Sequence, residues 1–522
     1  MPSDPMPPTI EDGSTKAIIP DGPAGPRRIS LRFGADVSAA IRPRISYAFR
    51  IFAAIYDYQV IEPGNDGTAV RCVYGAEPLP PFQQSQLHIP ARYKDVRFLE
   101  GWKRMLIRQH YAGEEFLLAF GIDAASGNPD WLGELFLWLS SSYELDIVER
   151  DSVGRIPYSE MVFTRSGVSP HKPHASMLMA WMQNVLVHGN TKEALPPAPS
   201  PLTWTQHIVI SSHDVDFYFV DRSSAMLRVL KNLGIAARTH GSWSYFSDNL
   251  TMLLQLARGD RVGDFLPALL EAGEKHDFRS TLFVVPRRGH RRDANYSLEQ
   301  ISPLLSSAAK KGFPAGVHGS YSSLMEDRTL RAEAQALRQR TGTMPLAGRQ
   351  HWLRFGELQH LFAEVSRAGL LCDSTLGFSE QVGFRNGASF AFPPYDFENA
   401  RPHQFLEIPL VLMDKGLHAA SRSLGKDPQE LADRVLAESR KYGWGGVAIL
   451  WHDPIEPLAV PSAINEVFWN SAKKQKDFQE KWMSAEQFLA SCLQRFQQAG
   501  LMEGFAWTTD QSFGGPPNTS HQ

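Results

Sequence analysis

The sequence predicts an α/β protein: a parallel β/α barrel preceded by a smaller α+β domain. Three observations carry this. Short apolar runs alternate with amphipathic helical stretches over roughly 300 residues from His207 onward, which implies a parallel sheet, and so many repeats favour closure into a barrel. The segment Ala194-Leu-Pro-Pro-Ala-Pro-Ser-Pro201 has four prolines in eight positions, too many for a helix or a central strand, and marks a stiff linker. With 522 residues, more than one domain is expected.

In order, residues 1–27 read as a disordered tail rich in Pro, Gly and Asp, without the apolar core of a signal peptide. Residues 28–190 read as the first domain. Ile45–Tyr56 has helical spacing, Leu87–Pro90 and Phe116–Phe120 read as strands, and Asp130–Leu139 and Ala175–Val187 as helices. Between the last two lies the polar, turn-rich Glu149–Pro157. No cluster of metal ligands or nucleophiles occurs here, so the domain is expected to be non-catalytic. The linker spans 191–205, the barrel 206–510, and a second disordered tail 511–522.

In the barrel, strands are expected at His207-Ile208-Val209-Ile210, Thr281–Val285, Ala315–Val317, Leu346–Gly348, Leu370–Cys372, Leu406–Leu412 and Val447–Trp451. Helices are expected at Phe265–His276, Leu298–Lys311, Arg328–Arg340, Phe355–Ala368 and Pro428–Tyr442. What ends each strand matters most. The first leads into Asp214 and Asp216, the third into His318, the fourth into Arg349-Gln350-His351-Trp352, the fifth into Asp373, and the last into His452. Parallel strands would bring these sets to one rim, where such folds keep their chemistry. A carboxylate flanked by buried apolar residues must be paired, hydrogen-bonded or on a metal.

Lys+Arg (53) nearly balances Asp+Glu (56), which gives no electrostatic case for nucleic acid. No stretch approaches the roughly 18 apolar residues of a membrane span. Cys72, Cys372 and Cys492 lie far apart and read as reduced thiols, so a cytoplasmic protein is expected.

The segments His213-Asp-Val-Asp216, His318-Gly-Ser-Tyr321, Arg349-Gln-His351 and Asp373-Ser-Thr-Leu-Gly-Phe378, in this order, resemble those of the polysaccharide deacetylases of carbohydrate esterase family 4, the NodB-homology domain. The likeness spans about residues 205–510, and the first domain resembles the uncharacterised region preceding the barrel in one branch of that family. The resemblance implies an irregular (β/α)7 barrel, a divalent metal, zinc in that family's chemistry, and a carbohydrate substrate, with proteins of polysaccharide synthesis as partners. It implies Asp214 as catalytic base, Asp216 and His318 as metal ligands, Arg349 as the arginine orienting Asp214, and His452 as general acid. Ser322 stands where the family has its second metal histidine, and a hydroxyl is a poor zinc ligand. His351 and His213 are the candidate substitutes, with His351 favoured.

Trp352, Trp444 and Trp451 are candidates to stack on a sugar, and Arg385 to line the pocket. Arg354 is expected as an ion-pair partner and Asp373 as a turn residue. The implied reaction is hydrolysis of an N-acetyl group from a sugar in a polysaccharide or its precursor. The alternatives are an impaired barrel that binds glycan or a partner, and a hydrolase of a non-sugar C–N bond.

Overall fold

The computed structural model describes residues 27–64, 69–75, 86–93, 106–124, 126–189, 206–218, 222–238, 243–259, 265–325, 329–443, 445–452 and 462–502. The expected linker and tails lie outside the described residues, except Arg27, which opens the first strand.

The first region holds β1 (Arg27–Phe33), β2 (Tyr58–Val60), β3 (Val70–Gly75) and β4 (Gln86–Pro90), a parallel sheet in the order β2-β1-β3-β4. A hairpin follows, β5 (Ile107–Tyr111) with β6 (Glu114–Leu118). Helix Trp131–Leu139 begins where the Asp130 side chain accepts the Gly133 N–H, a cap for an orphan donor, and all nine of its residues are buried.

The barrel strands are β7 (His207–Val215), β8 (Thr281–Val284), β9 (Ala315–Gly319), β10 (Ala347–Gln350) and β11 (Cys372–Asp373). A small hairpin, β12 (Tyr395–Asp396) with β13 (Arg401–Pro402), precedes β14 (Leu406–Glu407), β15 (Leu410–Met413), β16 (Gly445–His452) and β17 (Glu480–Met483). The sheet runs β14-β11-β10-β9-β8-β7-β16-β15, every pair parallel. Its two end strands come from one stretch, so the sheet must curl back on itself. The sequence reads that stretch, Leu406–Leu412, as a single strand; Pro409, which cannot donate to a ladder, lies between its two pieces.

All nine residues of β7 are buried, as a strand covered on both faces requires. One edge of β7 pairs with β16, and the other is shared by β17 along His207–Ile210 and β8 along Ser212–Val215. Helix Pro428–Tyr442 runs as the spacing predicts, started by Asp427, whose carboxylate accepts the Glu430 N–H, and by Pro428 at the first helical position.

The first region and the barrel share one continuous apolar core. Polar ties also cross between them: Tyr47 Oη donates to the Pro393 carbonyl (2.8 Å), and Ser389 N–H to Ser176 Oγ (3.0 Å). All three cysteines are free and buried. Among the described residues, no helix is long and apolar enough to cross a membrane.

Candidate metal centre

Side chains alternate along a strand, so Asp214 and Asp216 share one face of the chain leaving β7, and His213 takes the other. The paired strands complete the rim. On β10, Arg349 is in register with His318 of β9, and His452 of β16 with Asp214 of β7.

Three donors converge here. Ligand atoms of Asp216, His318 and His351, all buried, lie within 4.8 Å of one another. Asp216 Oδ1 is 3.5 Å from His318 Nε2 and 3.4 Å from His351 Nε2. Two ligands each about 2.1 Å from a tetrahedral ion stand about 3.4 Å apart, so these spacings suit one. His318 Nδ1 sits 3.0 Å from the Arg349 carbonyl, which needs a proton on Nδ1 and leaves the Nε2 lone pair for a ligand. Asp216 Oδ1 and His318 Nε2 are buried without a hydrogen-bond partner. Buried polar atoms are rarely left so; a divalent cation would satisfy both. Burial would by itself raise the Asp216 carboxyl, but the neighbouring His351 and His318 hold it well below the usual carboxylate range. His318 is raised: burial opposes its charge, and Asp214 and Asp216 outweigh that.

His351 arrives at the site through backbone strain. Trp352 (φ 66°) and Leu353 (φ 51°), neither a glycine, both take the left-handed conformation just after it, a cost of about 1–3 kcal/mol each. The turn is braced from the first region, where Arg155 Nη1 donates to the Trp352 carbonyl (3.4 Å) and Arg150 Nη2 to that of Gly356 (3.0 Å).

Asp214 sits beside the trio, its Oδ2 3.5 Å from His318 Nε2. Arg349, wholly buried, donates from Nη1 to Asp214 Oδ1 (2.8 Å) and is itself fixed by the Ser374 carbonyl and hydroxyl (3.0 Å each). Across the rim, His452 Nδ1 is 2.8 Å from Asp414 Oδ1, and its Nε2 is 3.9 Å from Asp216 Oδ2. Burial works to raise the Asp414 carboxyl, but the neighbouring His452 lowers it on balance. Arg155, Asp214, Asp216, His351, Trp352 and His452 line one cavity of about 180 Å³, together with Lys415 and Met413.

Two candidate substrate ligands lie elsewhere. Trp451 is 2% exposed in the core, with its Nε1 on the Ile464 carbonyl (3.3 Å) and its ring against Phe468. Arg385 is buried in a two-pronged pair with Glu144 (2.8 Å each), which bonds the first region to the barrel instead of facing the trio. Trp444 lies outside the described residues. His213 is also excluded as a ligand: its Nδ1 meets the Trp451 carbonyl (3.2 Å), its ring packs on Phe468, and burial pushes it down to about 3. Ser322 lies in the turn Tyr321–Met325. Asp373 orders a turn by accepting the Thr375 N–H (2.9 Å), whereas Arg354, expected in an ion pair, donates to the Tyr321 carbonyl (3.0 Å).

Sequence reasoning missed three residues. Asp414 directly follows β15 and obeys the same strand-end rule as the others, so it was findable. Asp293, its Oδ1 4.0 Å from His351 Nδ1, lies nine residues past β8 in a loop without a pattern. Arg155 comes from the other region altogether.

No family model matches the chain, and neither does any curated protein. Among solved structures it is similar to a protein assigned as a polysaccharide deacetylase from Mycobacterium smegmatis, at 16% identity over 60% of this chain and 98% of that one, with a TM-score of 0.34. A CE4 family pseudoenzyme from Bacillus anthracis matches at 14% identity over 44% of this chain and 61% of its own, TM-score 0.27. A mutant of a peptidoglycan deacetylase from Bacillus subtilis matches at 12% over 56% and 94%, TM-score 0.28. Likenesses this distant leave the activity of this chain to be argued from its own residues.

Proposed function

We propose that this chain is a metal-dependent hydrolase that removes an N-acetyl group from a sugar of a polysaccharide or its precursor. The observation that carries the reading is the buried Asp216–His318–His351 trio, flanked by a carboxylate clamped by an arginine and by a histidine clamped by a carboxylate. A bound divalent ion, zinc by the two-imidazole, one-carboxylate donor set, would polarise the acetyl carbonyl and acidify water.

The chain's own residues divide the proton work. Asp214, ionised beside Arg349, takes a proton from the attacking water. His452 is the proton donor to the departing amine: Asp414 holds its Nδ1–H, which leaves Nε2 facing the cavity side of Asp216. Trp352, at the mouth, offers an aromatic surface to the sugar. Expectation of an impaired barrel came from Ser322, and His351 supplies a third donor without it.

The test is acetate release from N-acetylated oligosaccharides by zinc-loaded protein, its loss with chelator and its return with zinc. Stoichiometric zinc without acetate from any N-acetylated glycan would defeat this reading and leave the non-sugar amide or the binding role.

A further inference from the structure

The near balance of charge over the whole chain conceals a local excess. Residues 222–258 hold five Lys or Arg and one Asp, in a chain of net charge −3. They form two helices, Arg222–Arg238 and Trp243–Arg258, which leave the barrel between β7 and β8. Arg222 Nη2 donates to the Ala257 carbonyl (2.7 Å) and Asn232 Nδ2 to Asn249 Oδ1 (3.1 Å), start against end and middle against middle, so the helices run antiparallel. They close on a small core of their own, Ala225, Val229 and Leu256 with Met226, Met252 and Leu253, apart from the core that the first region and the barrel share. The first helix begins six residues past Asp216, and its Arg228 guanidinium lies 4.4 Å from the centre of the Phe217 ring, so the hairpin is rooted beside the metal centre.

Of the nine large apolar side chains left exposed among the described residues, four sit on this hairpin: Leu227, Leu230, Leu250 and Leu254, with Leu227 71% exposed. Scattered exposed leucines are ordinary, but these are ordered. By the antiparallel register Leu230 is level with Leu250, and Leu227 with Leu254. Residues four apart lie one above the other on a helix, so Leu227 leads to Lys231, and Leu250 and Leu254 lead to Arg258. Lys231 and Arg258 are both exposed, and among the described residues neither makes an ion pair with a carboxylate. Leucines that run into a long cationic side chain suit a helix lying in a membrane interface, where the apolar ridge enters the acyl boundary and the cation reaches back to the headgroups. A second copy of the chain would also cover leucines, but a two-fold contact sets one patch against itself and would bring these cations together.

We propose that the hairpin 222–258 docks the protein on an anionic lipid bilayer, with Leu227, Leu230, Leu250 and Leu254 seated among the headgroups and Lys231 and Arg258 against lipid phosphates. The docking lies in the plane of the surface and needs no membrane-spanning helix. It stands whatever bond the metal centre hydrolyses.

Binding is measured on full-length protein by co-sedimentation with vesicles of phosphatidylcholine alone or with one-third phosphatidylglycerol. At low salt the anionic vesicles should bind at least about 10-fold more tightly, an advantage that salt shrinks. Each cation adds about fivefold on an anionic surface, so Lys231→Glu with Arg258→Glu should weaken binding at least about 25-fold. Leu227→Ser with Leu254→Ser should weaken it at least about 10-fold. Lys231→Arg should bind as wild type, and so should Leu424→Ser, which removes an exposed leucine of another helix. The altered side chains are exposed, so the variants should unfold at the wild-type midpoint; where a double variant does not fold, Lys231→Glu alone should still weaken binding about fivefold. Equal binding to both vesicles, no binding to either, or binding that survives the leucine or the charge variants overturns the proposal. So does a wild-type dimer, seen by light scattering without lipid, that Leu227→Ser with Leu254→Ser turns into a monomer, because the second copy is then the occupant.

Discussion

Two clusters of buried charge, one at the barrel rim and one where the first region meets the barrel, look alike in sequence and differ in what they leave unfinished. Glu144 and Arg385 are 1% and 4% exposed at their side chains and close on each other through two hydrogen bonds, with Arg385 Nη1 donating also to the Gly377 carbonyl. That pair is complete, so it needs nothing from outside. At the rim, Asp216 Oδ1 and His318 Nε2 stay without hydrogen-bond partners although both present lone pairs to one place. Completion marks a structural pair, and converging incompletion marks a binding site. Orphan atoms alone are not enough: both ring nitrogens of His174 lack partners, yet the ring simply stacks on Trp138 in the core.

The largest effect should come from the residue beside the trio that is not a ligand. Asp214→Asn is expected to lower kcat about 10³-fold with zinc content unchanged, since it removes a general base. Loss of zinc along with activity would move Asp214 into the ligand set. The complete pair should break differently. Glu144→Gln leaves Arg385 buried without its counter-charge and should cost about 3–5 kcal/mol in denaturant unfolding. Turnover per folded molecule should stay near wild type; a selective loss of kcat would mean that the pair serves the site as well.

Asp414→Asn tests the clamp on His452. Rate should fall about 10- to 100-fold while zinc affinity holds. A variant with full activity would make Asp414 a packing residue.

The smallest effect concerns the orphan that is no site. Burial pushes His174 down to about 4, whereas an unfolded histidine titrates near 6.5. The unfolded chain then binds the proton first, so this stability is intact above pH 6.5 and drains away as pH falls toward 4. Between pH 7.5 and 5 the loss should be about 2 kcal/mol, and His174→Gln should flatten that part of the pH–stability curve. An unchanged slope would place the acid sensitivity elsewhere.

Much of this was readable in the sequence, for physical reasons that also set the limit. Strands buried on both faces appear as unbroken apolar runs, so β7, β8 and β16 were plain. The helix Pro428–Tyr442 carries its own start signal. Glu480–Met483 has only two apolar residues among four and gives no such run, yet it pairs with β7. Helices Arg222–Arg238, Trp243–Arg258 and Ser462–Lys474 were not anticipated either. At the rim, the rule that polar residues follow parallel strands brought out Asp214, Asp216, His318, Arg349, His351 and His452. It could not say which way a side chain is used: Trp451 and Arg385 have the right chemistry, and packing gives them to the core. Nor could it join Arg155 to the turn after His351, because nothing in a sequence shows which loop of one region leans on another.

The central claim is that Asp216, His318 and His351 together hold one divalent ion. Calorimetric zinc titration of the metal-stripped full-length protein, wild type and His351→Ala, tests it directly. The account predicts one ion per wild-type chain and an affinity at least about 100-fold weaker in the variant, as loss of one of three protein ligands requires. Equal zinc affinity in the two proteins, or no binding by wild type, would contradict it.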